Sequence, residues 1–311
     1  MLIVVGSCSI SIFAQAIPVT PNTDLRKQME SAARVEADIE NRMAQMRQLE
    51  NRMVALSKLD AMTLRKTPAL DKGTRDRIMA MRRVASEDIA KNAAFLADER
   101  SGIFKLFSDH DCVSETLIRI DGICTDFVPE SSSFSFRTGN YTDVYYHDIG
   151  YNNDEFYNNS FFSQGIFVSL GDVPIENVDL EHAAIKTLAD QKPAVDAAEA
   201  KAASVRYKTG FEQNGFSVAQ HVKPVPDTTY AVRTIAYRLD NSLPPVTDQS
   251  TMNELRFHSL GFDKRADQIV VFRVVRRAQS GTATIVWKEL SRKDAPKIKF
   301  PKGAPLADFK L

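Results

Sequence analysis

Between Leu25 and Leu59 the chain contains neither glycine nor proline, and apolar residues return at steps of three and four. They are Leu25, Met29, Ala32, Val35, Ile39, Met43, Met46, Leu49, Met53, Leu56 and Leu59, and Arg, Lys, Glu, Asp and Gln fill the opposite face. That spacing keeps apolar groups on one side of a helix, and its length predicts an arm or coiled coil rather than an ordinary globular helix. Pro68 ends it near Lys66-Thr67, because the ring removes an amide donor and disfavours helical geometry at the preceding residue. Asp71-Lys72-Gly73 reads as a turn, with Thr74 as N-cap of a second amphipathic helix. This helix carries Ile78, Met81, Val84 or Ala85, Ile89, Ala93 and Leu96, and runs on toward Phe104 and Phe107. Residues 17–108 are therefore expected to form a long helical hairpin, antiparallel and coiled-coil-like. The methionines on its seams read as gap-filling core, with a promiscuous partner groove as the alternative.

Ahead of the arm, residues 1–16 read MLIVVGSCSISIFAQA, without a charge before Asp24. An apolar run followed by Ala14-Gln15-Ala16 has the pattern of a secretory signal with small residues at −3 and −1, which predicts cleavage after Ala16 and a secreted or periplasmic protein. The basic n-region is missing, which a true start upstream of Met1 would explain. Two alternatives remain: a buried N-terminal strand, and a lipoprotein anchored at Cys8, since Val5-Gly6-Ser7-Cys8 resembles a lipobox.

The chain has three cysteines, and after cleavage only Cys112 and Cys124 remain. Their spacing suits a disulfide closing a short loop in an oxidising compartment, against the alternative of two buried thiols. No zinc-type Cys or His spacing occurs, so neither a structural nor a catalytic metal site is expected.

From Cys112 the texture becomes short β-like runs broken by Gly, Asn, Asp and Ser. Strands are expected near residues 116–121, 133–137, 144–148 and 165–170. Residues 180–207 return to helix, interrupted at Pro193, and the Ala-rich second half is expected on a surface. A strand at 230–238 follows. Residues 268–276 and 282–290 are the clearest hairpin, turned at Gln279-Ser280-Gly281. Apolar residues on both sides of its first strand predict a central strand covered on both faces. Arg273 is the exception there and is expected to meet an acid or lie at the sheet margin. Residues 293–311, with Pro296, Pro301 and Pro305, read as an extended C-terminal tail. The expected fold class is thus α+β: the helical hairpin, then a mostly antiparallel β-sheet domain at 109–292 with one inserted helical segment.

Lys and Arg number 40, as do Asp and Glu, yet the balance conceals a segregation. Residues 1–108 carry +4, 109–200 carry −13 and 201–311 carry +9. Acidic middle and basic C-terminal segments facing one another across a shared sheet would cancel this asymmetry; a surface dipole that steers a partner is the alternative. The basic excess has no interleaved aromatic platform, so nucleic acid is not an expected partner. No apolar run reaches the roughly 18–20 residues of a membrane-spanning helix.

Chemistry-bearing motifs are sparse. None of His110, His147, His182, His221 and His258 has metal-ligand spacing, and nucleotide loops and the Gly-x-Ser-x-Gly elbow are absent. Asp109-His110 and His147-Asp148 set carboxylates beside imidazoles, which supports a hydrolase of unrecognised family as an alternative function. Residues 145–164 concentrate aromatics among Asn and Asp, and Tyr145, Tyr146, Tyr151, Asn152, Asn153, Asp154 and Tyr157 are the candidate ligand-binding residues there. The Asn/Asp oxygens also suit Ca²⁺, without EF-hand spacing; no other cofactor is expected. A long β-hairpin with core-packed aromatics is the competing reading. The leading expectation is an exported, non-enzymatic cell-envelope or extracellular binding or assembly protein whose partner is an envelope protein or glycan, or a further copy of itself; a self-assembling structural protein is the third alternative.

Overall fold

The computed structural model describes residues 23–64, 71–110, 112, 122–124, 127–240, 243 and 245–300. The expected signal segment at 1–16, the helix stop at Pro68, the strand at 116–121 and the last part of the C-terminal tail lie outside these residues. The chain forms two compact units, Met1–Glu50 and Asn51–Leu311.

In the first unit the described structure is helix α1 (Thr23–Leu64), which continues into the second unit. It is one uninterrupted helix, which the absence of Gly and Pro allows. Its side chains from Ser31 to Glu50 are all exposed.

The second unit begins with the end of α1 and with α2 (Lys72–Arg82) and α3 (Ser86–Lys91). Asp71, not Thr74, caps α2: its carboxylate accepts from the Thr74 amide at 2.9 Å and hydroxyl at 2.7 Å. The expected second long helix is broken, since Arg83 and Ala85 have extended backbones. Its last third is instead a strand, β1 (Ser101–Leu106). The helical spacing of Phe104 and Phe107 was coincidental; Phe104 and Leu106 alternate into the core, as a strand demands.

The strands that follow are β2 (Ser133–Ser135), β3 (Asn140–Tyr141), β4 (Ile149–Asn152), β5 (Glu155–Tyr157) and β6 (Ser163–Gly171). Helices α4 (Ala183–Ala189) and α5 (Ala197–Thr209) come next, separated around Pro193. Then come β7 (Phe211–Gln213), β8 (Phe216–Ala219), β9 (His221–Val222), β10 (Thr228–Ala236) and β11 (Arg238–Leu239). Helix α6 (Met252–Ser259), β12 (Ala266–Arg277), β13 (Ala283–Asp294) and β14 (Lys297–Ile298) complete the order.

Seven strands form an antiparallel sheet in the order β1-β13-β12-β10-β6-β8-β7, and five form a second in the order β3-β2-β4-β5-β9. The β-rich part is therefore a large antiparallel sheet with helices, the α+β class expected. Phe134, Ile149, Tyr151 and Phe156 of the small sheet, with Phe136 in the turn after β2, pack on Phe104, Phe167, Val232, Phe272, Ile285 and Trp287 of the large one. The other face of the large sheet packs Val168, Ala231, Ile269, Val271 and Val286 against Ala184, Ile185 and Leu188 of α4 and Tyr207 of α5. Covering on both faces explains why the middle of β12, Ile269 to Phe272 with Val274, is apolar on both sides. α5 buries only Ala200 and Tyr207, in keeping with its surface character.

Three expectations need adjusting in detail. Residues 144–148 form a turn and loop, and the strand starts one step later at Ile149. The hairpin is longer than read, each strand spanning twelve residues. The described part of the tail docks rather than trailing away: β14 pairs in parallel with β11. Arg273 behaves as expected, with Nη2 2.6 Å from Asp172 at the sheet margin. Arg277 reaches Asp154 at 2.6 Å, so basic C-terminal residues do meet the acidic middle segment. The end of α1 closes one side of this unit, burying Ala55 and Leu59 against Leu255 of α6.

Candidate ligand-binding cleft

β1 and β3 are the outermost strands of their sheets on the side where the sandwich opens. There the aromatic core reaches a cleft of about 980 Å³ lined by α2, β1, the β2–β3 turn and β13. Its wall is aromatic. Phe104 and Phe134 stack with centroids 3.7 Å apart, and Tyr141 stands edge-on to Phe134 at 5.6 Å. Trp287, the chain's one tryptophan, lies 5.3 Å from Phe136. Gly102 is paired directly with Trp287 across β1 and β13. A Cβ on Gly102 would fall 2.6 Å from the indole Nε1, so glycine is what lets the ring lie across the strand.

The rim has a cationic excess, Arg82, Arg83, Arg100 and Arg292 against Glu99 and Glu289. Arg82 sits over the Tyr141 ring at 4.1 Å and donates from Nε to Ser131 Oγ at 2.7 Å. Burial pushes the Tyr141 phenol up to about 12, with Arg82 opposing, so the hydroxyl stays protonated and donates to the Lys105 carbonyl. Arg292 is held by Glu289, Nε to Oε2 2.8 Å. Arg83 and Arg100 are exposed, and their guanidinium groups have no hydrogen-bond partner among the described residues. A cleft of this kind offers an aromatic wall for an apolar ring to pack on and two uncommitted guanidinium groups for an anion.

None of the seven residues expected to bind ligand lines this cleft. Alternation along the β4–β5 hairpin divides them. Tyr151, paired with Phe156, is wholly buried in the inter-sheet core. Its hydroxyl donates to the Gly281 carbonyl at 2.7 Å and accepts from Arg277 Nε at 3.3 Å. Asn153 and Asp154 turn the hairpin with φ of 46° and 63°, a backbone that Asn and Asp tolerate. Asn152 ends β4 opposite Glu155. Tyr157 lies on the other face, half-buried over Gly150 and edge-on to His147 at 5.1 Å. Tyr145 and Tyr146 face α6: Arg256 covers the Tyr145 ring at 3.8 Å, and the Tyr146 and Ser259 hydroxyls share a hydrogen bond. Tyr151 and Asp154 are brought together through Arg277; the rest are dispersed.

Residues 145–164 are held by buried arginines. Arg137 donates from Nε to Asp148 Oδ1 at 2.8 Å, from Nη1 to Asp263 Oδ2 at 2.6 Å and from Nη2 to the Tyr146 carbonyl at 2.7 Å. Arg265 joins Asp263 at 3.0 Å and donates to the Phe162 and Tyr237 carbonyls. His147 is fully buried, with Nδ1 2.6 Å from the Val144 carbonyl. Burial lowers its pKa to about 4, and Arg137 adds to the effect. His147 and Asp148 thus face different partners.

Cys112 and Cys124 lie at disulfide distance, with sulfurs 2.07 Å apart, an arrangement compatible with an extracellular location. Among the described residues no cluster of His, Cys, Asp and Glu could hold a metal ion. No helix there is long and apolar enough to cross a membrane. Comparison with family models, curated proteins and solved structures finds no match for this chain.

Proposed function

We propose that this chain is an exported, non-enzymatic binding protein of the cell envelope or extracellular space that captures a ring-bearing anion in the β1–β3 cleft. An acidic sugar or an aromatic acid has the required chemistry. The observation that carries the reading is the meeting of Trp287 and Tyr141 with the uncommitted Arg83 and Arg100 in one open cleft. The aromatic wall desolvates a ring, while the guanidinium groups confer preference for carboxylate or sulfonate. The export part is supported by the sequence of residues 1–16 and by the cysteine pair.

Two experiments test it. Calorimetric titration with naphthalenesulfonate should give one saturable site that weakens about tenfold or more in Arg83→Ala/Arg100→Ala, the loss of a charge-assisted contact. Equal affinity for the uncharged naphthalenemethanol would remove the anion from the proposal. Intact-mass analysis of the protein from its host should find an N-terminus at Ile17 and no thiol alkylation before reduction; a chain retaining Met1 with three reactive thiols would remove export.

A further inference from the structure

We propose that α1 pairs with α1 of a second copy of this chain as an antiparallel two-stranded coiled coil. Val35, Ile39, Met46, Leu49 and Met53 are each half or more exposed, from 50% for Leu49 to 63% for Met46. An apolar stripe left open along one helix is the kind of surface that marks an interaction site. With Ala32, Ile39, Met46 and Met53 at a, and Val35, Arg42, Leu49 and Leu56 at d, the stripe follows a strict seven-residue repeat. This seam differs from the face that α1 turns to its own chain, which carries Ala55 and Leu59.

Charge selects the occupant and its direction. Residues 30–41 carry Glu30, Glu36, Asp38 and Glu40 against Arg34, a net −3. Residues 42–58 carry Arg42, Arg47, Arg52 and Lys58 against Glu50, a net +3. The helix is therefore complementary to its own reverse. Antiparallel packing sets a against d, so Ile39 meets Leu49 of the second copy, Val35 meets Met53, and Ala32 meets Leu56. The two-fold axis passes near Ala44, and each acidic half lies along a basic half. In that register Arg42, paired with Asp38 of its own helix, lies beside Met46 of the second copy, Glu36 flanks Glu50, and Asp38 flanks Arg52. A parallel pair would set Arg42 on Arg42 within the seam and align like-charged halves.

Sedimentation equilibrium of the whole chain should give twice the chain mass, with dissociation favoured as salt rises. Ile39→Asp/Met46→Asp should be monomeric and should match the thermal stability of the wild type diluted to monomer, because both positions are exposed in the single chain. Direction is read by cross-linking in a Cys8→Ser background. An Ile39→Cys chain mixed with a Leu49→Cys chain should oxidise to the mixed dimer, while Ile39→Cys alone should not, its two copies being about 15 Å apart at 1.5 Å rise per residue. A monomeric wild type, a dimer that survives the double aspartate variant, or efficient cross-linking of Ile39→Cys with itself would each overturn the proposal.

Discussion

Asp148 is fully buried, and its two oxygens accept from Arg137 Nε, the Arg137 amide and Ser135 Oγ. Arg137 in turn holds the Tyr146 carbonyl and Asp263, so one guanidinium fixes the loop between the β2–β3 turn and β4. Breaking such a pair strands a buried charge. Arg137→Ala should lose about 3–5 kcal/mol in urea unfolding; a loss below about 1 kcal/mol, typical of a surface pair, would contradict this account. His147, its neighbour, carries a pH signature. Its folded pKa is about 4, against 6.5 ordinarily. Between those values the unfolded chain binds a proton that the folded chain refuses, so stability is complete above pH 6.5 and falls as pH drops toward 4. The full loss is about 3 kcal/mol. Urea unfolding across that window should show the slope in the wild type and its disappearance in His147→Gln; equal slopes would refute the assignment. The His147-Asp148 doublet was visible in the sequence, but not its meaning: adjacent side chains leave the backbone in different directions, and only the fold supplies Val144 to one and Arg137 to the other.

At the scale of elements, legibility follows how local the signal is. α1 could be read because forty-odd residues repeat one pattern without a breaker. The β12–β13 hairpin could be read because two apolar runs flank a Gly turn, with φ of 88° at Gly281. β1 could not: six residues with Phe104 and Leu106 fit a helical continuation equally well, and burial against Phe134 and Trp287 is what decides. The cysteine pair was legible from its spacing together with the expected export. Cys112→Ser/Cys124→Ser should lower stability by about 2–3 kcal/mol on loop-closure grounds. Reductant should destabilise the wild type by the same amount and leave the variant unmoved; reductant-insensitive unfolding of the wild type would contradict a closed bridge.

At the scale of the whole molecule, the segregation of charge between the middle and C-terminal segments becomes sheet-margin pairs such as Arg273–Asp172 and Arg277–Asp154. The cleft was invisible at this scale. Its residues come from four distant segments, around Arg82, Arg100, Tyr141 and Trp287, and only the convergence of two sheet edges assembles them. The aromatic-rich segment at 145–164 resembles a site in sequence because composition registers aromatics whether they line a cleft or, like Tyr151 and Phe156, fill a core.

Trp287 also supplies the most direct test, because all indole emission comes from the cleft. Titrating the whole chain with naphthalenesulfonate, the account predicts saturable quenching at one-to-one stoichiometry. That quenching should weaken with added salt and with Arg83→Ala/Arg100→Ala, and calorimetric affinity should fall in Trp287→Leu. Emission that stays unchanged while calorimetry still records binding would place the ligand elsewhere and contradict the cleft as the site.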